Sequence, residues 1–94
     1  MRIRLGNRHY NLRFVEGLPQ HGDIDEPSEK NKQIRINDNL TGEVQLEVLI
    51  HEMLHGLYDF LDESYVEQPA KDLARALWRI GYRVERFFPD ESKD

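Results

Sequence analysis

Between Leu46 and Leu61 the apolar residues Leu46, Leu49, Ile50, Met53, Leu54, Leu57 and Leu61 recur at intervals of three and four, which commits the stretch from about Thr41 to Leu61 to one amphipathic helix. In a chain of 94 residues the core is thin, so every other element has to be read as something that packs on this helix. The segment "DNLTG" before it carries the side chains that favour a helix start. A second helix is expected from about Val66 to Gly81, with Val66, Ala70, Leu73, Leu77 and Ile80 on one face and Lys71, Arg75 and Arg79 opposite. Pro69 is tolerable only near its beginning. The brief "DES" connection makes the two helices antiparallel neighbours with their apolar stripes on a common core.

The N-terminal third alternates with period two. "RIRL" and "HYNLRFV" flank Gly6-Asn7, a hairpin signal that puts Ile3 and Leu5 on one face and Tyr10, Leu12 and Phe14 on the returning strand. A short strand near Asp23 to Asp25 and the alternating "QIRIN" follow. The expected fold is therefore α+β: a three- or four-stranded, mainly antiparallel sheet packed on two helices, in one domain over 1–94, with 89–94 fraying after Pro89. Acidic and basic residues, 18 and 13 for a net charge of -5, are mixed along the chain, which disfavours nucleic acid as a partner. No apolar run approaches membrane-spanning length and no signal peptide is visible, so no membrane partner is expected and the chain reads as soluble and cytoplasmic. The lack of cysteine removes disulfides and thiolate ligands, leaving His, Asp and Glu for any metal.

Inside the first helix stands His51-Glu52-x-x-His55. The pattern arises by chance in roughly 2% of shuffled chains of this composition, so its placement has to decide its meaning. Four residues apart on a helix, the two imidazoles project side by side and one ion can take a nitrogen from each. They lie away from the expected apolar stripe, and Glu52 points to their flank, where a carboxylate can act on a water without ligating the metal. The competing reading makes all three ordinary solvated side chains. A catalytic zinc site takes three protein ligands. A metzincin-type continuation is excluded because Tyr58 and Leu61 stand where Gly and His would be needed. Glu63, Glu67, Asp72, Asp59 and Asp62 are the candidates for the third ligand. Helix phase favours Glu67, whose alternative role is a capping box with Ser64, and gives Asp72 a surface ion pair. His9 and His21 read as solvated side chains and Trp78 as a core or helix-flank anchor. Tyr58 and Tyr65 are possible donors to a developing oxyanion.

"LIHEMLHGLYDF" followed by "VEQPAKDLARAL" resembles the small zincin-like metallopeptidases of the ImmA/IrrE type, in particular the minimal versions encoded by phages and prophages. Glu67, Ala70, Leu73, Ala74 and Leu77 match that group's Glu-x-x-Ala-x-x-apolar-Ala-x-x-Leu pattern. The resemblance spans about Gly22 to Tyr82 and is strongest over the first helix. It implies Zn²⁺ held by His51, His55 and Glu67, with Glu52 as general base. "QIRIN" would be the edge strand beside the cleft, with a partner strand near "GDID". The function so implied is hydrolysis of a peptide or protein substrate, with a regulatory protein as one such substrate. The alternative is an inactive zinc-binding or protein-interaction module with the same fold.

Overall fold

The computed structural model describes residues 1–84; the tail 89–94 lies outside them. Four strands come first, β1 (Arg2–Leu5), β2 (Arg8–Val15), β3 (Gly22–Ile24) and β4 (Gln33–Asn37), followed by α1 (Gly42–Leu57) and α2 (Glu63–Ile80). The β1–β2 hairpin closes through Gly6 and Asn7, with Leu5 opposite Arg8. Of the two loop residues only Gly6 has positive φ, at 62°, as expected for a type II′ turn. The sheet runs β1-β2-β4-β3, with β1–β2 and β3–β4 antiparallel and β2–β4 parallel, so the fold is α+β with a mixed sheet.

One expectation about the sheet is overturned. "QIRIN" is β4, and it is an interior strand: residues 11–15 pair along one side of it and Gly22–Ile24 along the other. Ile34 and Ile36 are consequently fully buried, each burial contributing about 1.5–3 kcal/mol. Of the two edge strands, β1 and β3, the one beside the cleft is the three-residue β3.

The helices do not share one core. Tyr10, Leu12, Ile34, Ile36 and Val48 form a cluster between the sheet and α1, while Leu46, Ile50, Ala70 and Ala74 form another between α1 and α2. Among the elements, α2 packs only against α1. The layers are thus sheet, α1, α2, with α1 buried on two sides. Its sheet-facing line is Val48, Glu52 and Gly56, one turn apart. Leu57, expected at the centre of the apolar stripe, is 41% exposed because α1 ends there. Leu61 falls in the connection that follows.

Gly22 shows how closely β3 approaches α1. A Cβ there would lie 2.9 Å from Cγ1 of Val48, 3.0 Å from the Arg35 carbonyl oxygen and 3.3 Å from Cγ of Glu52. Val48 is buried and β-branched and the carbonyl belongs to β4, so neither neighbour can step aside freely. Gly22→Ala is expected to cost about 1–3 kcal/mol in urea unfolding, as overpacking does; a neutral result would mean that β3 slides away from α1 at little cost.

Candidate metal centre

The site sits where the end of α1 meets the start of α2. After Tyr58, whose amide donates to the Leu54 carbonyl, the chain turns through 58–62 and re-enters helix at Glu63 with Asp62 as N-cap. Arg8 pins this turn, donating from Nη1 to the Gly56 carbonyl at 3.2 Å and to Asp59 Oδ1 at 3.1 Å. The second helix therefore begins a turn earlier than its apolar periodicity implied. Asp62 makes no side-chain cap hydrogen bond, and the Ser64–Glu67 capping box is ruled out because both residues lie inside α2. Pro69 then falls in the helix interior on an exposed face, where water can reach the Tyr65 carbonyl that lacks its amide donor.

This early start brings Glu63, not Glu67, to the histidines. The Nε2 atoms of His51 and His55 are 3.2 Å apart, and Glu63 places one carboxylate oxygen 2.5 Å from the former and the other 3.0 Å from the latter. Both imidazoles are about four-fifths buried, whereas Glu63 is largely exposed. The one metal-capable group among the described residues is His51, His55 and Glu63, with donor atoms all within 4.8 Å of one another. The geometry suits an ion. Metal–nitrogen bonds of about 2.0–2.1 Å in a tetrahedron separate two imidazole nitrogens by about 3.3 Å. Protons on both Nε2 atoms would instead oppose each other at this distance, while one shared cation satisfies both nitrogens and the carboxylate. The group can hold a metal ion.

The other expected residues have different neighbours. Glu67, one turn along α2, pairs with Lys71 at 3.6 Å. Asp59 is engaged by Arg8. Asp72 accepts from Gln68 at 2.9 Å and lies 3.9 Å from Arg75, the surface role read for it from the sequence. Tyr58 and Tyr65 are 46% and 66% exposed and do not line the cavity beside the histidines, so neither is placed to donate there. Trp78 packs on the α1–α2 cluster, and the Arg83 guanidinium lies 3.5 Å from its ring centre.

Glu52 is placed as no solvated carboxylate would be. It is 8% exposed, on the sheet-facing side of α1 under β3, and among the described residues no hydrogen bond or ion pair reaches its carboxyl. Burial, followed by the nearby charges of Glu63 and Asp23, raises its pKa from 4.5 to about 7. A cavity of about 490 Å³ opens beside it, lined by His51, Glu52 and Glu63 together with His21 and Gly22 from the β3 side and Glu47, Val48 and Glu67 from the helices. Periodicity gave no sign that His21 and Glu47 face this space, because one lies in a loop and the other has the spacing of a surface position.

Comparison of the chain with protein-family models, with characterised proteins and with solved structures gives no match. No helix among the described residues is long and apolar enough to cross a membrane.

Proposed function

We infer that this chain is a zinc-dependent metallopeptidase similar to the minimal ImmA/IrrE type, with His51, His55 and Glu63 holding the ion and Glu52 as general base. The observation that carries the reading is Glu52: a buried residue beside the donor group whose carboxyl opens into the same cavity and has no partner among the described residues. A site that only stores an ion needs a fourth donor and has no use for such a group, which disfavours the inactive module. Zinc, when bound there, supplies Lewis acidity to the scissile carbonyl and lowers the pKa of water to about 7.

Glu52 takes the proton of the attacking water and passes it to the leaving amine nitrogen. In the metal-free protein burial raises its pKa to about 7, and a cation held beside it would favour the carboxylate, the form that accepts the proton. Among the described residues no strand pairs with the outer side of β3, and Gly22 lines the cavity. An extended peptide adding to that edge would run past the donor group. The substrate is thus an unstructured segment of a peptide or protein, a regulatory protein being the one the resemblance suggests. A reducing, cytoplasmic setting suits a chain without cysteine. The test is metal analysis with a hydrolysis assay on unfolded protein. About one zinc per chain is expected, with cleavage stopped by a chelator and restored by zinc; less than about a tenth of an equivalent after supplementation would rule the site out.

A further inference from the structure

The cavity beside the donor group is acidic beyond what holding an ion requires. Glu47 precedes His51 by four residues on α1 and Glu67 follows Glu63 by four on α2, and both line this cavity. Four residues of helix advance about 6 Å, so in the antiparallel pair these two residues lie on facing helices, each one turn away from the donor group, and open into the same cavity. The Glu47 side chain has no hydrogen bond or ion pair among the described residues. Among the described residues the Glu67 carboxylate pairs with Lys71 alone, 3.6 Å away on the exposed face of its own helix, a contact of little energy. Of the remaining side chains lining the cavity only His21 bears nitrogen. Glu52, more than nine-tenths buried and without a partner among the described residues, opens into the same space, where a group from outside can meet it.

We propose that Glu47 and Glu67 form a subsite for a cationic side chain, so that the peptides this site accepts carry Arg or Lys within two residues of the bond that is cut. In an extended chain one or two residues span about 3–7 Å, which matches the turn of helix separating the subsite from the donor group. A guanidinium can bridge both carboxylates, and it exchanges with the Lys71 ammonium on Glu67 rather than adding to it.

This rests on the metallopeptidase reading, and the experiment separates the two. The zinc-loaded full chain is titrated with three short peptide hydroxamates, which anchor on the metal whether or not the protein turns over, differing only in an Arg, Leu or Glu side chain next to the hydroxamate. Affinity should fall in the order Arg, Leu, Glu, with Arg over Leu by about tenfold and the gap shrinking as salt is raised. In Glu47→Gln/Glu67→Gln the ratio should approach one, in Glu47→Lys/Glu67→Lys the order should invert, and Lys71→Ala should widen it. Equal binding of all three, or an order unchanged in the double variants, overturns the subsite and leaves the metallopeptidase reading standing. A chain that takes up no zinc, or is zinc-loaded but binds none of the three, overturns both.

Discussion

Replacing Glu52 by Gln is expected to give a protein that no longer hydrolyses peptides yet is harder to unfold. Hydrolysis should fall by on the order of 10²–10⁴, the range of general-base catalysis, with zinc content near wild type. Stability should move the other way in the metal-free protein. The folded state keeps the Glu52 proton up to about pH 7, whereas the unfolded chain releases it near 4.5. Between these values the folded state binds more protons, so the contribution of this group is fully present below about pH 4.5 and is lost as the pH rises through 7. The interval amounts to about 3 kcal/mol at most. Glutamine fills the same space with no charge to desolvate. Urea unfolding in the presence of a chelator should therefore favour Glu52→Gln by up to about 3 kcal/mol at pH 8, with little difference at pH 5. A variant less stable than wild type at pH 8 would show that the carboxylate is solvated or partnered, and loss of zinc would make Glu52 a ligand.

The second large effect separates the two glutamates of α2. Glu63→Ala removes the carboxylate that contacts both imidazoles and should lower zinc affinity by about 10²-fold or more, while Glu67→Ala should change it by less than about threefold. Zinc at about a thousand times its dissociation constant stabilises the folded chain by about 4 kcal/mol, so a hundredfold loss of affinity removes nearly 3 kcal/mol of that increment. Metal titration and melting with and without zinc read the same event independently. If Glu67→Ala proves the damaging change, the ion draws α2 round from the arrangement described here.

What the sequence disclosed and what it hid follow from what periodicity measures. Spacings of three and four in 46–57 and 66–80 report which side chains share a face, and both helices and the β1–β2 hairpin form, although α1 stops at Leu57 rather than near Leu61 and α2 starts at Glu63 rather than near Val66. Periodicity does not report what covers that face. Because α1 is buried on two sides, Glu52 lies under β3, although its spacing from the apolar residues looks like that of a flank. The start of α2 was obscured by polar residues. "DESYVEQ" offers two acceptable helix starts, and only the packing of α2 on α1 selects the one at Asp62 that puts Glu63 beside the histidines. The interior place of β4 depends on a parallel pairing with β2 across some twenty residues of chain, which no local pattern encodes.

The layering has a consequence for how the molecule comes apart. Two donors belong to α1, which is wedged against the sheet, and the third to a helix that among the described elements packs on α1 alone. An ion there would act as a rivet through the outermost layer. Without it, the amides of α2 should exchange with solvent well before those of β2, β4 and α1, as a separately opening unit. With zinc bound the two sets should draw together, and hydrogen exchange followed by mass spectrometry measures the difference. Loss of the metal would then release a whole helix, carrying Glu63 and Glu67 away from α1 together, so that ion binding and assembly of the cleft become one cooperative step.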